Sequence, residues 1–437
     1  MPTRSGLAVC RVGKIADHVH HSGPPPQAIL PILREKKMEQ LSERLQTPIS
    51  TAELERRWAA VSAAMEREKV DALLMQNNND HMGGYVKYFT DLPATNGYPL
   101  TVVFPRDDLM TLVSQGPFGG VTDPAANSDG VRRGVKQWLT TPSYASCHYT
   151  ASYDPELAAK ALAPCAGGTI GLVGTYQMSF ALVDYLQKGR FSNTRFVDAS
   201  DLVDRIKVIK SAEERDLIRR TAAVQDGAMR AAFAAVEPGL RDRDIAAIAQ
   251  CHSQRHGSEN GIYLCASMPT ENPAQFGQRH YQNRVIGEGD TIALLVEDSG
   301  PGGMYTELGR TCVVGKASQE LKDEFAFALE ARKFNLGLLK PGAPCKDVFE
   351  AYNDFMRRND RPQEKRLHCH GQGYDLVERP LIRNDEPMAI AKDMNIVVHP
   401  TYIRGHVLAW VCDNYLIEAG GPGERLHRFP EVITELG

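Results

Sequence analysis

No run of 18 apolar residues occurs anywhere in the 437-residue chain, so no membrane-spanning helix is expected. Charge of one sign is also missing. Fifty Lys and Arg (50) stand against 54 Asp and Glu, a formal net charge of -4. Such a balance offers no electrostatic footprint for nucleic acid or an anionic membrane surface. The nine Cys (9) are odd in number and include no C-x-x-C pair. That excludes a disulfide scaffold and a zinc ribbon, and fits free thiols in a reducing, cytoplasmic compartment. What is present is ordinary for a globular chain: 42% apolar and 24% charged residues. The length suits two or three domains with a large core.

Residues 1–50 read as an N-terminal extension. They carry Pro24-Pro25-Pro26 and the histidines His18, His20 and His21, without a continuous apolar core of signal-peptide length. A helix is expected near 31–46. Residues 52–69 then repeat apolar side chains at helical spacing, and Val70–Met75 reads as a buried strand. Leu100–Phe104, Leu109–Val113 and Thr169–Val173 read as further strands, and Ser179–Gln187 as a helix. Strands alternating with helices indicate an α/β domain over 51–202. The polar loop Asn77–Tyr85 is a candidate carrier of binding groups. Ser211 with Glu214 forms a capping-box pattern that opens a long helix, ended at Pro238-Gly239.

The second half repeats itself. Pro238-Gly239 followed by Asp244 recurs as Pro341-Gly342 followed by Asp347, an offset of 341 − 238 = 103. The strand opening at Asp290 recurs at Asp393, again 393 − 290 = 103. A self-similar period means duplicated units sharing a core, with a cleft between them. Five ligand-competent side chains fall at strand positions around that cleft: Glu297, Glu307, His370, His399 and Cys412. Singly, a buried His or Cys is more often a packed core residue. Their joint placement is what points to chemistry.

The helix Ile206–Ala223, both Pro-Gly turns, Gly289-Asp290 leading into a strand, Tyr305 with Arg310-Thr311, and His370-Gly-Gln-Gly373 resemble the pita-bread superfamily. That superfamily contains aminopeptidases, prolidases, creatinases and the iron-dependent dimethylsulfoniopropionate lyases. The resemblance implies an α/β N-terminal domain followed by a duplicated α+β pita-bread catalytic domain over 203–437. It also implies a homodimer. The family's peptidases hold two metals with two Asp, one His and two Glu. Carried over by position, the first Asp falls on Val296 beside Glu297, and the second on Glu307. The His falls on His370, and the two Glu fall on His399 and Cys412. This departs from the dinuclear pattern and points to a non-peptidase branch.

Two readings follow. In one, a single transition metal, zinc or iron, is held by Glu307, His370, His399 and Cys412. In the other no metal is bound, and His370 and Glu307 exchange protons directly, as in creatinases. His280 is a further catalytic candidate, at the loop where relatives place a substrate-contacting His. Glu297, Tyr305, Arg310 and His406 are candidate substrate-binding residues. Arg279, Arg284 and Arg404 are possible clamps for a substrate carboxylate. The expected function is hydrolysis of a C–N bond in a small amino-acid-like or amide-like metabolite. The rivals are a sulfide- or amine-eliminating lyase, an Xaa-Pro aminopeptidase-like metallopeptidase and a non-catalytic binding protein.

Overall fold

The computed structural model describes residues 47–79, 81–93, 97–124, 130–188 and 191–437. The helix expected at 31–46 lies outside them. All described residues belong to the unit Leu45–Gly437.

Helix α1 (Thr51–Glu68) starts where Ser50 accepts the Glu53 amide at 3.1 Å, and stops at Lys69 in the left-handed region. A layer of strands and helices follows: β1 (Ala72–Asn77), α2 (Gly84–Thr90), β2 (Leu100–Pro105), β3 (Met110–Gln115), β4 (Gly120–Thr122), β5 (Val135–Thr141), α3 (Tyr153–Leu162), β6 (Thr169–Leu172), α4 (Phe180–Gln187) and β7 (Arg195–Asp198). Their strands form one seven-stranded mixed sheet, ordered β4-β5-β3-β2-β1-β6-β7. The buried strands read as near-continuous apolar runs because helices cover the sheet. The Asn77–Tyr85 loop is built of Asx turns: Asn79 N donates to Asn77 Oδ1 and His81 N to Asn79 Oδ1. It bonds within its own chain, where Gly84 N donates to Asp375 Oδ1 at 2.7 Å and Leu376 N to the His81 carbonyl.

Two helices lead into the second half, α5 (Ser200–Lys207) and α6 (Ala212–Phe233). The capping box at Ser211 and Glu214 is formed in both directions, which satisfies two otherwise orphaned amides of α6. Arg57, fully buried, bridges α1 to this half through Glu214 at 2.9 Å and Tyr374 Oη at 2.9 Å.

The duplication is visible in the backbone. Elements α7 (Asp242–Arg255), β8 (Asn260–Met268), β9 (Thr291–Ser299) and β10 (Tyr305–Val314) form the first copy. The second contains α8 (Gln319–Leu338), α9 (Cys345–Arg358), β11 (Cys369–Gly371), β12 (Glu378–Leu381), β13 (Asn395–Val398), the hairpin β14 (Thr401–Arg404) and β15 (Val407–Trp410), β16 (Asp413–Glu418) and β17 (Gly421–Arg425). Strand β18 (Thr434–Leu436) then returns to the first copy beside β10. Bridge Arg241–Val285 corresponds to bridge Pro344–Ala389. The first partners differ by 344 − 241 = 103 and the second by 389 − 285 = 104. One residue has been inserted between them. The positive-φ positions Gly289 (78°) and Asp393 (68°) show the same 104 shift, so the turn before each strand sits one residue from where sequence alone aligns it.

Two sheets result, β18-β10-β9-β8 and β12-β11-β13-β16-β17. Helices α6 and α7 bury the outer face of the first through Val296, Leu308, Ile292 and Leu294. Helix α9 and the end of α8 bury the outer face of the second through Cys369, Ile396 and Val398. The inner faces meet at Ala293, Leu295, Val397 and Cys412, together with Leu408 and Trp410 of the β14–β15 hairpin. Close approach there requires Gly309. A Cβ on it would stand 2.1 Å from the Trp410 ring.

Candidate metal and acid–base site

Side chains two residues apart on a strand share a face. Leu295 faces inward, so Glu297 does too. The β9–β10 register sets Glu307 directly opposite Glu297. On the second sheet Val397 faces inward, which places His399 inward, and the β11–β13 register pairs His370 with Val397. Glu307, His370 and His399 therefore converge from two sheets. One ligand atom of each lies within 4.8 Å of the others, and all three residues are buried.

Val296, on which the resemblance set the first family Asp, packs outward with α6 and α7. The residue that faces Glu307 is Glu297. Physical register, not sequence spacing, decides which side chain enters the cleft.

Burial controls the electrostatics. It pushes the Glu307 carboxyl up to about 7, against the pull of the Cys412 thiol and of Arg366. Glu297 is driven up by burial and by the neighbouring Glu307. Burial lowers His370 to about 4, and lowers His399 well below the usual imidazole range with help from His370. The site as it stands thus favours neutral imidazoles. His370 Nδ1 lies 2.9 Å from the Gly371 carbonyl, which assigns the ring proton to Nδ1 and leaves the Nε2 lone pair facing Glu307. His370 Nε2 and Glu307 Oε2 are 3.8 Å apart. That is too long for a hydrogen bond. It is within the about 4.2 Å that two metal–ligand bonds of about 2.1 Å can span. Two imidazoles and one carboxylate suit zinc or iron, and three protein ligands leave a coordination position open.

Several expected participants stand elsewhere. Cys412 is outside the ligand group. Its Sγ faces the Glu307 backbone oxygen at 3.4 Å, and its own backbone pairs with Gly309. Burial, followed by the charge of Glu307, raises its thiol well above the ordinary range. Arg310 does not reach the cleft either. It is fully buried and saturated by the Pro430, Gly309, Cys412 and Phe429 carbonyls and by Asp413 at 2.8 Å. Alternation along β10 explains this, since Glu307 faces in and Arg310 faces out. His280 lies on the exposed turn Arg279–Tyr281. It lines a cavity of about 1010 Å³ with Arg243, Arg279 and His81. His406 occupies the exposed β14–β15 turn, where its amide bonds Glu320. Arg284 is paired to Asp290, and Arg404 to Glu324 and Asp360. Tyr305 is buried on the Glu307 face of β10, and its amide donates to Gly373 O at 2.7 Å.

The structure adds residues that the sequence did not single out. Gln372 Nε2 donates to Glu297 Oε1 at 2.8 Å and to the Leu376 carbonyl at 2.9 Å. Gln372 Oε1 accepts from Asn414 Nδ2 at 2.8 Å. Asn414 Nδ2 also donates to Asn395 Oδ1, and Asn414 Oδ1 accepts the Glu307 amide at 2.8 Å. Asn395 Nδ2 donates to the Tyr305 and Gln372 carbonyls. All three amides are fully or almost fully buried. Their signal was a set of polar residues inside apolar strands, unreadable without the inter-sheet geometry. Arg366 is exposed, and its positive charge acts on Glu297, Glu307, His370 and His399 together.

Residues 216–419 match the model of metallopeptidase family M24. The chain is 22% identical over 239 residues to an Xaa-Pro dipeptidase of Pyrococcus furiosus, covering 53% of this chain and 66% of that enzyme. It is 27% identical over 385 residues to a protein of Sinorhizobium fredii described as an uncharacterized hydrolase/peptidase, y4tL, covering 83% of this chain and 90% of that one. The fold is that of the X-Pro aminopeptidase from Thermotoga maritima, with a TM-score of 0.70 at 16% identity, over 87% of this chain and 99% of that structure. The architecture is thus an N-terminal α/β domain joined to a pita-bread domain.

Proposed function

We infer that this M24-type chain is a hydrolase cleaving a C–N bond of a small substrate at a single-metal centre held by Glu307, His370 and His399. The observation that carries this is the convergence of those three buried groups within 4.8 Å from two facing sheets. What such an ion supplies when bound is a water acidified to a pKa of about 7 and a polarised carbonyl. The chain's own residues do the rest. His370 is held in the Nδ1-protonated tautomer by Gly371. Glu297 Oε1 is occupied by Gln372, so a proton carried by this carboxyl sits on Oε2. From there it would pass to the leaving nitrogen as the C–N bond breaks, and the proton released by the attacking water, whose oxygen bonds the acyl carbon, would return Glu297 to its protonated form. The positive charge of Arg366, felt by all four site groups, favours a substrate with an anionic end.

A direct acid–base route has its own support. With Glu307 raised to about 7 and His370 lowered to about 4, a partly protonated carboxyl faces a neutral imidazole across 3.8 Å. Metal analysis of the purified protein, with amine release assayed on Xaa-Pro dipeptides, N-acyl amino acids and guanidino acids, separates the two. The single-metal reading expects one equivalent and activity abolished by a chelator. Activity that survives complete metal removal overturns it in favour of the direct route.

A further inference from the structure

Glu297 is the cross-strand neighbour of Glu307 and even more deeply buried, yet it is not among the converging ligand atoms. A carboxylate one strand away, on the same face, is within easy reach of a cation bound at Glu307. Something must hold it aside. The one side-chain hydrogen bond described to its carboxyl comes from Gln372, at 2.8 Å. Gln372 cannot turn away. Its second N–H is committed to the Leu376 carbonyl, its Oε1 to Asn414, and its backbone carbonyl to Asn395. Asn414 in turn grips the Glu307 amide. One fully buried amide therefore fixes one carboxyl, while its partner fixes the strand carrying the other.

We propose that Gln372 is a positioning residue that withholds Glu297 from the metal, keeping the site three-coordinate and open. The inference rests on the single-metal reading above. Three protein ligands with a free position characterise catalytic zinc, and four characterise closed, structural zinc. Held back by Gln372, Glu297 stays available as a proton carrier and the fourth position stays available to water. Released, it would turn about its own side-chain torsions and close the site.

The test is zinc affinity by competition with a chromophoric chelator, together with the visible spectrum of the cobalt(II)-substituted protein, for wild type, Gln372→Met, Glu297→Gln and the double variant. Gln372→Met, close in volume and without donors, is expected to bind zinc about tenfold or more tightly, because Glu297 would add a fourth protein ligand, and to shift the cobalt spectrum. The double variant should return to the wild-type affinity and spectrum. Glu297→Gln keeps the oxygen that accepts from Gln372, and should leave affinity unchanged. If Gln372→Met does not fold, Glu297→Gln alone decides: weakened zinc binding would make Glu297 a ligand and overturn the proposal. Wild-type affinity and spectrum in Gln372→Met, or a tightening that persists in the double variant, overturns it as well. A wild type that binds no metal at all would instead refute the single-metal reading on which it rests.

Discussion

His370 Nε2 and Glu307 Oε2 lie 3.8 Å apart, although one comes from the five-stranded sheet and the other from the four-stranded sheet. Each strand contributes by its alternation, and His399 completes the group because it lies two residues beyond Val397 on the same inward face. Removing any one donor leaves two, too few to hold a transition metal firmly. His399→Ala and Glu307→Gln should each reduce zinc affinity by more than the about 10–100-fold typical of outer partners. Equilibrium dialysis with zinc measures this. Retention of a full equivalent in His399→Ala would remove His399 from the centre.

Cys412 separates position from contact. The resemblance set it among the ligands, but it is not in the converging group, and its sulfur lies against Glu307 itself, 3.4 Å from the backbone oxygen. Cys412→Ala should therefore keep the wild-type metal stoichiometry. It removes one buried sulfur and should cost about 1 kcal/mol of stability. A thermal melt with parallel metal analysis distinguishes this from loss of a ligand, which would empty the site.

Much of the architecture was legible in the chain. The Pro-Gly turns at one offset announced the duplication, and Ser211 with Glu214 announced the start of α6. Glu307, His370 and His399 were legible for the same reason, as polar groups set in apolar strands. The rest needed the third dimension. One inserted residue shifts the turn of the second copy, and within the first copy the β9–β10 register is what sets Glu297, already a candidate at the cleft, directly opposite Glu307. Arg310 was a plausible substrate contact until strand alternation turned it outward. Gln372, Asn395 and Asn414 are also polar groups near apolar strands, but what makes them matter is which buried donor finds which acceptor across the sheets.

Arg310 and Asp413 form a fully buried ion pair at 2.8 Å, which Arg332 joins from α8. Burial alone would raise the Asp413 carboxyl, but Arg310, then a hydrogen bond with His427, then Arg332 hold it well below the usual range. Breaking such a pair strands a charge in low dielectric, at a cost of about 3–5 kcal/mol. Asp413→Ala leaves the Arg310 guanidinium with backbone carbonyls only and strips Arg332 and Arg425 of a countercharge they share, so it should lie at the upper end. Arg310→Met leaves Arg332 beside Asp413 and should lie at the lower end. Differential scanning calorimetry ranks the two. A raised KM with unaltered melting temperature in Arg310→Met would restore the substrate-binding role.

Acid stability should depend on Glu378, which joins Lys207 at 2.7 Å and Lys210 at 2.8 Å where α5 meets β12. Burial would raise this carboxyl, but the two ammonium groups hold it down to about 2, from an ordinary value of 4.5. A folded-state pKa below the unfolded one means that the stabilisation is complete above about 4.5 and is lost as pH falls toward about 2. Asp375, raised by its burial, acts in the opposite sense and softens the slope. Wild type should therefore lose melting temperature between pH 5 and pH 3, in part through this group. Glu378→Gln should be less stable at pH 7, since buried Lys210 loses its carboxylate and Lys207 keeps only Asp375, at 3.0 Å, and its melting temperature should fall less over the same interval. Parallel pH profiles for the two proteins would show that the triad of Glu378, Lys207 and Lys210 contributes nothing to acid sensitivity.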